Sequence, residues 1–293
     1  MSLTFAKLRL TGEMVIFGTI GLFVRYLSLP SGIVACARGF IGALVLLLCM
    51  LLLRKRPSFA AVRRNLVLLL ASGAFVGLNW ILLFEAYRYT TVSTATLCYY
   101  MAPILVVIVS PVFLHERLTL RKLVCVVVSL CGMLGVSGVL DGSLPGPGEW
   151  QGILCGLGAA ALYAGVMLLN KQLRDIDAYD RSIVQLAAAA LVLLPYSLLT
   201  GGTDALSSLD GGSVFLLLLL GVVHTGLAYF LYFGAMGQLP AQTVAILSYL
   251  DPAVAIQISM LVLQEPITPF GMIGAALVLF SALVSELPAK KKT

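Results

Sequence analysis

The chain has 293 residues, 60% of them hydrophobic and only 11% charged, with a formal net charge of +6. This composition excludes a soluble enzyme or binding module and indicates a membrane protein whose mass lies almost wholly in the bilayer. The positive balance calls for no nucleic-acid partner, because the Lys and Arg residues flank apolar segments where they anchor helices at a membrane surface.

An apolar helix of about 20 residues crosses the hydrocarbon core. Cutting the chain at its charge clusters and Pro/Gly turns predicts ten such spans, at 11–28, 32–53, 65–88, 92–114, 120–140, 150–171, 182–200, 212–236, 240–263 and 269–287. The expected fold is an all-α polytopic membrane protein with ten transmembrane helices. Every Lys and Arg except Arg25, Arg38 and Arg88 falls on one side: the amino-terminal flank, the turns 2–3, 4–5 and 6–7, and the tail. The other turns hold only acids, namely Asp141, Glu149, Asp204, Asp210 and Glu265. The positive-inside rule then puts both termini in the cytoplasm and the protein in a cell membrane as a multi-pass chain. The six cysteines all lie within apolar segments, without metal-ligand spacing, and read as small packing residues.

Taken in order, Arg25 and Arg88 lie near the outer interface and read as snorkelling side chains. Arg38 sits about six residues inside span 2, where an arginine is costly unless it faces protein or water. It grips a substrate carboxylate or phosphate, forms a structural ion pair with Glu85 of span 3 at similar depth, or snorkels outward. Span 4 carries Tyr99 and Tyr100 ahead of Pro103, and span 9 carries Tyr249 and Asp251 around Pro252. Each interior proline releases the carbonyl four residues earlier, that of Tyr99 or Ser248. These two kinks are expected to line a watery cavity or a helix contact. Tyr163 of span 6 and Tyr229 of span 8 are further mid-membrane aromatics, suited to a cavity for a zwitterion with an apolar side chain. Asp251 and His224 are the ionisable pair of the second half: together they could bind a coupling proton, or Asp251 accepts a neighbour's hydrogen bond and His224 is a neutral core residue. Thr119 and Thr268 stand where helix N-caps are needed, so Glu116 and Glu265 beside them read as turn-shaping residues. Gly132, Gly135 and Gly138 in span 5, with Gly271 and Gly274 in span 10, offer close helix approach within the chain or between the copies of a homodimer.

A register shift of 149 places Gly77 on Gly226, Phe84 on Phe233, Thr94 on Thr243, Tyr100 on Tyr249, Pro103 on Pro252, Glu116 on Glu265 and Thr119 on Thr268 without a gap. Residues at these fixed offsets mark an internal duplication, with halves at 1–146 and 147–293. Each half has five spans, an odd number, so the second enters the bilayer from the opposite side. Such inverted repeats hold substrate near the midplane between them.

The aromatic-then-proline fourth and ninth spans and the closing Glu116-Arg117-Leu118-Thr119 and Glu265-Pro266-Ile267-Thr268 resemble the EamA-type exporters of the drug/metabolite transporter superfamily. Ala37-Arg38-Gly39, Asn79, Phe84-Glu85-Ala86-Tyr87 and Tyr249-Leu250-Asp251-Pro252 resemble stretches of that family. Many of its members have Glu where this chain has Asp251. The resemblance implies a transporter of small polar metabolites such as amino acids, and it adds Asn79 and Glu85 to the candidate substrate contacts. The expected function is a secondary transporter, an exporter working by alternating access on a small-molecule substrate, without catalytic residues, cofactor or metal. An intramembrane enzyme would need a nucleophile and base or a metal set, and His115 and His224 have no ligand spacing. A non-transporting scaffold or receptor is the other alternative.

Overall fold

Helix follows apolar segment through the whole of the computed structural model, which describes residues 3–113, 119–137, 140, 145–199, 209–236, 238–239 and 241–286. Span 1 is α1 (Leu3–Gly18) and α2 (Ile20–Arg25), span 2 is α3 (Ser31–Leu52), and a short α4 (Phe59–Arg64) leads into span 3, α5 (Leu66–Tyr89). Span 4 is α6 (Val92–Tyr99) and α7 (Ala102–Phe113), and span 5 is α8 (Leu120–Val136). In the second half α9 (Pro147–Gln172) and α10 (Ala178–Ser197) form spans 6 and 7. Span 8 joins α11 (Gly211–Leu218), a π-helical segment (Leu219–Leu227) and α12 (Ala228–Met236). Span 9 is α13 (Ala241–Ser248) and α14 (Leu250–Leu261), and span 10 is α15 (Pro269–Glu286).

Among the described residues six spans, the second, third, fourth, sixth, seventh and eighth, are long and apolar enough to cross a membrane by length and composition, and the ninth and tenth are shorter apolar helices. Span 1 is broken at Thr19 and carries Lys7, Arg9 and Glu13 within α1, which starts well before the predicted residue 11. The termini are set by local hydrogen bonds. Side-chain oxygens of Thr91, Thr119, Asp177, Asp210 and Thr268 accept from the N–H groups of Thr94, Lys122, Tyr179, Ser213 and Gly271. The Ser213 side chain and N–H hold the exposed Asp210 carboxyl below the usual carboxylate range. Asp177 starts span 7 at Ala178 rather than at the predicted 182. Glu116, His115, Gly138, Asp141, Asp204 and the tail lysines lie outside the described residues.

Packing exchanges partners between the halves. Span 3 packs on span 6 as span 8 packs on span 1, and span 7 packs on span 3 as span 2 packs on the π segment of span 8. Spans 2 and 7, 4 and 9, and 5 and 10 pair with each other. Spans 5 and 10 meet through glycine, as their sequences predict. A Cβ on Gly274 would lie 2.4 Å from the Gly132 carbonyl oxygen, and one on Gly135 would lie 2.6 Å from that of Phe270.

Candidate functional site

Three of the spans are interrupted around one buried region, and each interruption has a side-chain cause. Pro103 and Pro252 lack the N–H that would continue the ladder, so span 4 breaks at Tyr100–Met101 and span 9 at Tyr249. In span 1 the Thr19 hydroxyl donates to the Ile16 carbonyl at 2.7 Å, beside the break between α1 and α2. Span 8 is continuous but widened. Within its π segment Thr225 Oγ1 donates to the Leu220 carbonyl at 3.0 Å and His224 Nδ1 contacts that of Leu219 at 3.2 Å, both five residues back.

Tyrosines of spans 4, 6 and 9 form a ladder here. Tyr163 and Tyr99 have ring centroids 5.3 Å apart, Tyr99 and Tyr100 6.1 Å, and Tyr100 and Tyr249 5.9 Å. The Tyr100 hydroxyl donates to Asp251 Oδ2 at 2.8 Å and has the Ser248 carbonyl, the one freed by Pro252, at 3.4 Å. One predicted acceptor thus faces the hydroxyl of the equivalent tyrosine from the other half. Tyr229 stacks on Phe17 at 5.8 Å and on Phe233 at 5.9 Å.

Arg38 is 4% exposed. Its Nε donates to Thr225 Oγ1 at 2.7 Å and its Nη2 to the His224 carbonyl at 3.4 Å, while the guanidinium carbon stands 4.4 Å from the Trp80 ring centroid. The Arg38–Glu85 pair is not formed. Glu85 turns to Arg88 on its own helix, at 3.3 Å, because three residues along α5 put the two on one face. Among the described residues no carboxylate lies within ion-pair distance of Arg38, so a buried cation with five N–H donors is held by two neutral oxygens and an aromatic face. Asn79 is also turned from this region: its amide donates to the Ala159 carbonyl at 2.6 Å and ties span 3 to span 6.

Glu13 was not singled out by its sequence context. It follows Lys7 and Arg9 closely enough to read as part of a cytoplasmic flank, although an acid directly before the apolar run Met14–Phe17 and inside predicted span 1 was a usable signal. It is fully buried, and neither carboxyl oxygen has a hydrogen-bond partner among the described residues. Asp251 lies within electrostatic range of both Glu13 and Arg38. His224 joins two interruptions, since its Nε2 is 2.8 Å from the Thr19 hydroxyl and its ring packs on Phe23 at 5.1 Å. Among the described residues no group of three His, Cys, Asp or Glu could hold a metal ion.

Arg25 and Glu265 take parts their sequence context hid. Arg25 does not snorkel but forms an ion pair with Glu265 at 3.1 Å, and Glu265 does more than shape a turn, since it accepts the N–H of Val92 at 2.8 Å.

Comparison with known proteins agrees with this architecture. An uncharacterized transporter of Bacillus subtilis (strain 168), YxxF, is 29% identical over 251 residues, covering 86% of this chain and 79% of its own. An uncharacterized transporter of Archaeoglobus fulgidus is 28% identical over 272 residues, 92% of each chain. One solved crystal structure shares the fold with a TM-score of 0.66 at 19% identity, over 96% of both chains. The model of the EamA-like transporter family matches twice, at residues 8–138 and 150–286. With both halves matched and a polytopic helical fold around an interrupted polar centre, the chain belongs to the EamA-like transporter family and is a multi-pass membrane transporter.

Proposed function

We propose that the chain is a secondary transporter that exports small zwitterionic metabolites such as amino acids, by alternating access between inverted five-span halves at 1–146 and 147–293, with both termini in the cytoplasm. The observation that carries the reading is Arg38: a buried guanidinium with no carboxylate at ion-pair distance among the described residues is a place where a substrate carboxylate would be held. The Tyr99 and Ser248 carbonyls freed by the two prolines would receive the substrate ammonium, and the ladder of Tyr99, Tyr100, Tyr163 and Tyr249 would take the apolar side chain. Tyr229, stacked on Phe17 of span 1, lines the same interior.

Coupling is assigned to Asp251 with Glu13, two buried acids on spans 9 and 1 that come from different halves. A proton taken up on one side and released on the other would link their charge to the position of the halves. His224 bridges Thr19 and the π segment and would transmit that movement.

The test uses purified protein in proteoliposomes. Labelled amino acids should exchange saturably against the unlabelled compound, and a pH gradient should drive their accumulation. Asp251→Asn and Glu13→Gln should keep exchange and lose gradient-driven accumulation. Absence of flux above empty liposomes for every zwitterion offered would overturn the substrate class, and normal accumulation by both variants would overturn the coupling.

A further inference from the structure

Four span ends meet at Glu265, on the face that the charge distribution assigns to the outside. Arg25, the last residue of α2, places Nη2 at 3.1 Å from Glu265 Oε1. Its Nη1 donates to the carbonyls of Tyr87 and Thr90 at the end of α5, to the latter at 3.0 Å. Glu265 Oε2 accepts from the N–H of Val92, the first residue of α6, at 2.8 Å, and from the hydroxyl of Ser259 on α14 at 2.6 Å. The Ser93 N–H donates in turn to Ser259 Oγ at 3.3 Å. Oε1 receives no aligned hydrogen bond, so the Arg25 contact is Coulombic, and the two donors on Oε2 hold the carboxylate in place for it.

The cluster joins the elements that carry the substrate site. α2 belongs to the same span as Glu13, α6 runs from Val92 to Tyr99, and α14 begins beside Asp251. At 1.5 Å per residue Val92 stands about 10 Å along its helix from Tyr99. Between the two levels the backbone of span 1 fills the space. A Cβ on Gly18 would lie 2.6 Å from Val254 Cβ and 2.7 Å from the Asp251 carbonyl oxygen, and one on Gly21 would lie 2.5 Å from Val92 Cγ1. Spans 1, 3 and 4 belong to the first half and span 9 to the second, so relative movement of the halves at this face must break the Arg25–Glu265 contact. With the Arg25 side chain 36% exposed and that of Glu265 9% exposed, water can replace the lost partner at one side, which makes the contact breakable in a way that an equal area of packed apolar surface is not.

We propose that Arg25, Glu265, Ser259 and the N-terminus of α6 form the outer gate of the transporter, closed in this structure. When intact, the cluster shuts the substrate site from outside. When broken, it lets span 1 part from spans 4 and 9. The inference rests on the alternating-access reading above.

The test reads gate position without needing a substrate. In a cysteine-free background, Val254→Cys places a thiol at the contact with Gly18, between gate and site. Arg25→Ala or Glu265→Gln should raise its rate of reaction with an impermeant thiol reagent added outside by up to roughly fivefold, the population shift expected from loss of one partly screened ion pair. A second arm leaves the charged pair intact: Ser93→Cys with Ser259→Cys should crosslink on oxidation, lower the Val254→Cys labelling further and stop transport, with recovery on reduction. Labelling unchanged by the single substitutions, or undiminished transport by the crosslinked protein, would overturn the gate. Failure of the transport reading alone would appear differently, as absent flux in a protein whose labelling still follows Arg25 and Glu265.

Discussion

Arg38 and Glu85 show how far a single residue can be read before its neighbours are known. Both are charges in apolar spans at similar depth, and pairing them is the cheapest arrangement that sequence offers. Helix geometry decides otherwise, because Arg88 lies three residues from Glu85 on the same helix face while Arg38 is turned to Thr225 and Trp80. Two substitutions separate the roles. Arg38→Lys keeps the charge but loses the planar fork that donates to Thr225 and lies against Trp80, so substrate exchange should fall by roughly tenfold or more with expression retained. Glu85→Gln removes only one half of an exposed pair and should change stability by no more than about 0.5 kcal/mol. Thermal unfolding and exchange rates measured on the two proteins check both. A large loss of exchange in Glu85→Gln, with none in Arg38→Lys, would reverse the assignment. The tyrosines, the prolines and Asp251 were legible because a ring, a missing N–H or a charge in an apolar run is costly wherever it points. Glu13 and the partners Thr225 and Trp80 were not, since their part depends on which face of a neighbouring helix is presented to them.

At the level of elements, the prolines announced the interruptions in spans 4 and 9, while the break in span 1 and the π widening of span 8 have no proline and come from hydroxyl and imidazole groups bonded to their own backbone. Thr is common in membrane helices, and a single His names no backbone partner, so no periodicity reveals such a change. The glycine seam of spans 5 and 10 was legible, and its energetic content can be tested. Gly274→Ala puts a methyl group 2.4 Å from the Gly132 carbonyl oxygen and 2.9 Å from the Val136 N, against backbone that cannot rotate aside. The helices must separate, at a cost of about 1–3 kcal/mol by analogy with overpacked cores. Gly148→Ala is the control, because a Cβ there meets nothing within 4 Å and should leave stability unchanged or slightly raised. Melting curves in detergent that fail to distinguish the two would show that the seam is not closely packed in solution.

For the whole molecule, the exchange of packing partners between halves follows from the shift of 149 residues, since two copies of one five-span unit bury equivalent faces when each meets the other. Which face looks outward is a separate question, decided by charge. The turns that hold Lys55, Arg56, Lys171 and Arg174 all lie on one side if the spans alternate, and those that hold Glu149 and Asp210 lie on the other. Moving that many cations across the bilayer during insertion is unfavourable, which is the reason the proposed orientation keeps the basic side in the cytoplasm. Single substitutions Glu149→Cys and Asp210→Cys, at exposed helix starts, should therefore react with an impermeant thiol reagent applied to intact cells. Arg56→Cys and Arg174→Cys, equally exposed to water, should react only after the membrane is opened. The same orientation puts Arg25 and Glu265 at the outer surface and Lys7 and Arg9 at the inner one, so the labelling pattern also fixes which solution each end of span 1 meets. The opposite pattern would invert the molecule and turn the Arg25–Glu265 cluster into an inner gate.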